Sequence, residues 1–253
     1  AHNVDTLIIV PDSMLRTIPF AALYDEVADK FLIEQFALAI TPGLTLTYAT
    51  EKFRRDNITM LMAGLSKAVG NFSELPHALD AIEAIEKGWI CPNLSEGFLK
   101  NNVANAFETK PYKIAYFSTH GKFENNPKDS FLLTYDGRLG MNDLKGFVSF
   151  HQFRTPVELL TFGACETAAG NELAALGLAG VAVKTGAKSA VGTLWKVPEK
   201  STAQLMARFF CELCDDPTLS KAKALQNAQE WLLDEYRAYP FHWAPFLLIG
   251  NWF

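Results

Sequence analysis

Several things are scarce or missing in this chain of 253 residues, and each absence removes a class of protein. Cysteine occurs four times, at Cys91, Cys165, Cys211 and Cys214. That is too sparse for the disulfide framework of a small secreted domain. Cys211 and Cys214 make one C-x-x-C without a second pair, so zinc would lack half its usual ligands; two thiols on one helix face is the plainer reading. An excess of positive charge is missing too. The 23 Lys and Arg stand against 28 Asp and Glu, a net charge of −5, which does not build a surface for wrapping nucleic acid. No apolar run reaches about eighteen residues, so no transmembrane helix is predicted. The start lacks the basic-then-apolar pattern of a signal peptide, and a reducing, cytoplasmic setting is the expectation. Nucleotide and hydrolase fingerprints are absent as well. Gly186-Ala187-Lys188-Ser189 has the wrong spacing for a P-loop, and there is no G-x-G-x-x-G after a strand, no G-x-S-x-G and no H-E-x-x-H.

What is present is a core. Hydrophobic residues make up 49% and charged residues 20% of the chain, which excludes a disordered chain, a collagen and a coiled coil. At about 150 residues per domain, the length fits one large domain or two fused halves. Buried-strand patterns occur at Thr6–Val10, Ile58–Ser66, Tyr112–Ser118, Glu158–Phe162 and Ser189–Trp195. Between them lie helical patterns: residues 42–55, a stretch with Leu75, Ala78, Leu79, Ile82 and Ile85 on one face, an N-capped helix after residue 94, residues 172–185, and two amphipathic helices over 201–214 and 220–237. The segments 16–23 and 31–42 read as strands around a turn at 25–30, and Asp136-Gly137 signals a hairpin. Such alternation predicts an α/β fold, a mostly parallel sheet flanked by helices on both faces. We expect a single domain over 1–253, with an accessory N-terminal α/β half at 1–105 and the chemistry in 106–253. The first strand begins almost at once, which suggests a piece of a longer protein.

In open α/β sheets ligands bind beyond the carboxyl ends of the strands, so reactive residues just past a strand matter most. Two qualify: His120, after YKIAYFS, and Cys165, after ELLTFGA. If their strands are neighbours about 4.8 Å apart, both side chains emerge on one rim. An imidazole beside a thiol favours the thiolate, which is the nucleophile. Gly121 lets its N–H approach a bound carbonyl, and with the N–H of Cys165 it would form an oxyanion hole. Taken singly, the same cysteine reads as buried filler and the same histidine as a satisfied loop residue.

STHG at 118–121, GACETA at 163–168, GLAGVAVKTGAKSAVGTLWKV at 177–197 and FHWAPFLLIG at 241–250 resemble the CHAT domain, a caspase-like family of cysteine peptidases. LIIVPDSMLRTIPFAAL at 7–23 is similar to the opening of that domain. The resemblance implies a caspase–hemoglobinase fold, His120 and Cys165 as a catalytic dyad, and hydrolysis of a protein or peptide substrate through a thioester. It implies no metal or organic cofactor, and an N-terminal repeat or sensor region in the full-length protein. Glu166, Trp195 and Glu199 are candidates for the substrate cleft, each with an ordinary alternative: a helix-start carboxylate, a core ring and a solvated loop charge. Where the family often has two acids after its tryptophan, this chain has Pro198-Glu199. A second reading from another class keeps the fold and drops the chemistry, leaving a catalytically silent scaffold that binds a peptide.

Overall fold

Strand runs that are apolar on both faces need cover above and below, and the computed structural model provides it. It describes residues 4–41, 43, 58–89, 92–123, 128–150, 155–163, 166–167 and 186–253. In chain order the elements are β1 (Thr6–Ile9), β2 (Tyr24–Asp25), β3 (Lys30–Phe31), β4 (Ala37–Ile40), β5 (Met60–Gly64), α1 (Ala78–Glu86), α2 (Lys100–Thr109), β6 (Ile114–Ser118), β7 (Gly121–Phe123), β8 (Phe131–Thr134) and β9 (Gly137–Gly140). They continue with α3 (Met141–Ser149), β10 (Leu159–Phe162), β11 (Glu166–Thr167), β12 (Ser189–Thr193), α4 (Glu199–Asp215), α5 (Lys221–Tyr236) and β13 (Phe246–Gly250). The main sheet has seven strands in the order β1-β4-β13-β12-β10-β6-β5. Every pairing in it is parallel except β12–β13. Residues 1–105 contribute β1, β4 and β5 to this sheet, on its two sides.

Alternation along each strand sorts side chains between two buried layers. Met60, Met62, Ile114, Tyr116, Leu159 and Val191 face α1, α4 and α5. Leu61, Ala63, Ala115, Phe117, Leu160 and Phe162 face α2, α3 and a smaller four-stranded sheet, β11-β7-β8-β9. Two buried glutamines stitch α5 to its surroundings: Gln226 Nε2 donates to the Ile33 carbonyl at 2.6 Å and Gln229 Nε2 to the Trp243 carbonyl at 2.8 Å.

Segment 16–23 does not form a strand. It folds into short 3-10 turns at Ser13–Thr17 and Phe20–Ala22, because Pro19 lacks the N–H that a strand inside a sheet would donate. Of 31–42, Ala37–Ile40 is a strand and Leu32–Glu34 a 3-10 turn. The hairpin at 136–137 forms, with Thr134 paired to Gly137. Its Asp136 side chain also accepts the backbone N–H of Lys100 at 3.1 Å, so the start of α2 is held from another element. Helix α3, which is not among the expected helices, has the helical spacing of Met141, Leu144 and Val148. The expected helices at 42–55 and 172–185 lie outside the described residues.

The antiparallel join of β13 rests on a glycine. Gly250 has φ +96, and a Cβ there would stand 2.4 Å from the Lys188 carbonyl oxygen. Gly250→Ala therefore adds backbone strain and a backbone clash, and we expect it to cost about 3 kcal/mol. Denaturant unfolding measures this; a loss within experimental error would show that β12 and β13 separate freely at this point.

Candidate active site

The carboxyl ends of β5, β6, β10 and β12 share one rim because their registers match. Gly64 stands opposite Ser118. Phe117 stands opposite Phe162, and the Gly163 N–H continues the ladder to the Phe117 carbonyl at 2.8 Å. His120 follows β6 on this rim and is 8% exposed. Its backbone is clamped to β8: the Leu133 N–H donates to the His120 carbonyl at 2.8 Å, and the Thr119 hydroxyl donates to the Leu133 carbonyl at 2.6 Å.

The imidazole is held from its far side. Nε2 lies 2.8 Å from the Ser73 carbonyl oxygen. A carbonyl only accepts, so Nε2 carries the proton, and Nδ1 is the free lone pair in the neutral ring. The Phe72 ring packs on the imidazole at 5.3 Å and leans edge-on against Phe131 at 6.2 Å. Phe72 and Ser73 belong to the loop after β5, where Val69 and Phe72 exchange backbone hydrogen bonds at 3.2 and 3.0 Å. Nothing in the sequence connects this loop with His120. An aromatic beside a serine in such a turn is a faint signal, since the atom that matters is a backbone oxygen.

Gly121 pairs with Leu132 on β8. The adjacent pair, His120 and Leu133, is the hydrogen-bonded one. In an antiparallel ladder the next pair is then non-bonded, so the Gly121 N–H is turned away from β8. On that other side lies β11, with Glu166 in register with Lys122 and Thr167 with Phe123. Cys165 lies outside the described residues. Its described neighbours are Gly163, bonded to β6 on one side of His120, and Glu166, paired to β7 on the other.

Beneath the rim, Tyr116 reaches toward Gly163. A Cβ on residue 163 would meet the phenolic oxygen at 2.6 Å. The Tyr116 hydroxyl is fully buried, with the Ser118 side chain near it but no well-formed hydrogen bond among the described residues. Burial pushes this phenol up to about 12, so it stays neutral.

The remaining candidates are spread along the rim. Trp195, two residues past β12, stacks on Phe241 with ring centres 6.1 Å apart and donates Nε1–H to the Phe241 carbonyl at 3.2 Å. Glu199 opens α4, and its carboxylate accepts the His77 backbone N–H at 2.6 Å. Burial raises its pKa, with the His77 N–H and imidazole pulling the other way. His242 packs on Tyr236 at 4.2 Å and bonds the Ser201 hydroxyl at 2.7 Å. Cys214 donates to the Gly88 carbonyl at 2.9 Å. Burial raises the Cys211 thiol, which disfavours a reactive thiolate there. Among the described residues no group of three or more His, Cys, Asp and Glu could hold a metal ion, and no helix is long and apolar enough to cross a membrane.

The family model described as CHAT domain matches residues 1–251. No curated protein matches the chain. Among solved structures it is similar to a Saccharomyces cerevisiae separase in complex with securin, with a TM-score of 0.60 and 12% identity. That match covers 97% of this chain but 15% of the separase chain. It is also similar to the Arg-specific cysteine proteinase gingipain R, with a TM-score of 0.54 and 11% identity over 85% of this chain and 54% of that one. Identities this low speak for the fold: a mostly parallel caspase-type sheet flanked by helices.

The fit of Tyr116 under Gly163 is open to test. Gly163→Ala should lose about 1–3 kcal/mol through overpacking. Tyr116→Phe removes a buried hydroxyl without a good partner and should be close to neutral. Because these residues touch, the double variant should recover part of the Gly163→Ala loss. Strict additivity in urea unfolding would show that the phenolic oxygen is not the obstacle.

Proposed function

The chain belongs to the CHAT domain family, and on that premise we propose that it is a caspase-like cysteine endopeptidase, with His120 and Cys165 as its dyad. One observation carries the reading: both described flanks of Cys165 are tied to the strand segments on either side of His120, with only Ala164 and Cys165 between them. The Cys165 thiolate attacks the scissile carbonyl carbon, and the peptide C=O becomes an oxyanion. The N–H groups of Gly121 and Cys165 receive that charge, a contribution of about 3 kcal/mol per donor in comparable sites. His120, held through Nε2–H by Ser73, takes the thiol proton on Nδ1 and delivers it to the departing amine. Water, deprotonated by the same nitrogen, then hydrolyses the thioester and frees the thiol.

The substrate is a protein or peptide chain, with Trp195 as an aromatic wall of the cleft and Glu166 as a further contact. No metal, organic cofactor, nucleic acid or membrane enters the reaction. A reducing cytoplasm suits a catalytic thiol. In the full-length protein an N-terminal repeat or sensor region would present the substrate.

A thiol-directed activity probe tests the dyad. It should label Cys165 selectively, and His120→Ala should abolish the labelling. Cys165→Ala should end cleavage while moving the melting temperature by about 2 °C or less. Folded protein whose Cys165 resists the probe would sink the peptidase reading and favour a peptide-binding scaffold. A large drop in melting temperature for Cys165→Ala would make the thiol core filler.

A further inference from the structure

The two groups that hold the His120 ring, the Phe72 side chain and the Ser73 carbonyl, come from one loop, residues 65–77. Its entrance is fixed to the sheet by the Leu65 N–H on the Ser118 carbonyl at 2.9 Å. Internally it closes through the Leu75 N–H on the Ser66 carbonyl at 3.1 Å and through the Val69–Phe72 pair. Its exit is different. His77, the last residue before α1, sends its N–H at 2.6 Å to a side chain 122 residues away, Glu199. Among the described residues Leu75 bonds within the loop and helix start at this end, accepting the Ala78 N–H at 3.1 Å.

Glu199 is well placed to act as an anchor. It opens a 17-residue helix whose Leu205, Met206, Phe209 and Phe210 are buried against the sheet. Further along that helix Phe210 packs on Tyr116 at 5.4 Å, so the helix is fixed relative to β6, the strand that leads into His120. The charges around the carboxylate are the His77 imidazole and Asp80 on the α1 side and neutral Tyr116 on the sheet side. A solvated loop acid would have no reason to be half-buried on a backbone amide; desolvation of a charge is tolerated where a donor compensates it.

We propose that Glu199 is a positioning residue for His120. It fixes the exit of the 65–77 loop to the start of α4, so that the Ser73 carbonyl stays on Nε2 and the Phe72 ring stays on the imidazole face. This role replaces the substrate contact that its place after β12 suggests, and its catalytic consequence rests on the proposed dyad. Geometry of this kind matters because a displacement of about 1 Å at a proton-transferring group costs on the order of a hundredfold in rate.

The experiment compares Glu199→Ala, Glu199→Gln and Glu199→Asp in protein labelled with 15N-histidine, reading the ring nitrogens of His120, the melting temperature and steady-state kinetics. In the Gln variant the amide oxygen still accepts from the His77 N–H; in Asp the charge remains but is withdrawn by one methylene. If the proposal holds, Ala and Asp shift the His120 ring resonances and lower kcat about tenfold with KM little changed, whatever the substrate. Gln restores most of both signals. Should Ala fail to fold, Asp supplies the comparison. Unchanged His120 resonances in Ala and Asp overturn the proposal. So does a rise in KM confined to substrates with a basic residue at the cleaved bond and equal in Ala and Gln, the signature of a substrate acid. Shifted His120 resonances in a protein that cleaves nothing, even as wild type, would uphold the contact and remove the peptidase reading.

Discussion

Parallel pairing of β6 with β10 is the constraint on which the candidate site depends. With Phe117 opposite Phe162, the residues that follow the two strands emerge at the same height, and Gly163 continues the ladder for one more bond. A slip of one residue would exchange the two faces of β10. Leu159 and Thr161 would then point at α2 and α3, and Leu160 and Phe162 at α4. Both layers are packed with large apolar side chains, so the slip is closed off by the core. The matched height of the two strand ends is inherited from that packing.

A second layer of control comes from the smaller sheet. Strand β7 begins right after His120, and β8 grips it from one side while β11 pairs on the other. The segment that carries the histidine thus has a fixed alternation of backbone groups. One edge is spent on β8 and the opposite edge faces β11. Gly121 falls on a non-bonded position of that ladder, which is the physical reason its amide is a candidate oxyanion donor.

Those two layers explain what was legible in the sequence and what was not. Uninterrupted apolar runs such as IAYFS and ELLTF announce buried strands, and the reactive residues just after them could be picked out because strand ends are where α/β sheets present chemistry. The parallel sheet and its two helical faces follow from the same alternation. Strands β7 and β11 were not legible, since three and two residues carry no periodicity and their pairing is decided by neighbours. Segment 16–23 misled because β-branched and aromatic residues favour strands, while Pro19 decides the local backbone. The acceptor for His120 was invisible for a deeper reason: it is a backbone carbonyl, and every residue type has one. Glu199 was noticed as an acid near a strand end, but its partner is an amide 122 residues away that no local pattern reveals.

The sheet face toward α4 carries a cost that stability alone does not explain. Tyr116 and Thr161, neighbours across β6 and β10, and Thr193 near the end of β12 have buried hydroxyls without a partner among the described residues. Phenylalanine and valine would fill the same volumes and avoid about 1–3 kcal/mol at each unsatisfied group. All three lie in the last rows before the rim, on strands whose earlier residues on that face, Ile114, Leu159 and Val191, are apolar. Local violations of good core chemistry concentrate where function competes with packing. Here Tyr116 lies against Gly163, the described residue nearest in sequence before Cys165, and is close enough to Glu199 to feel its charge.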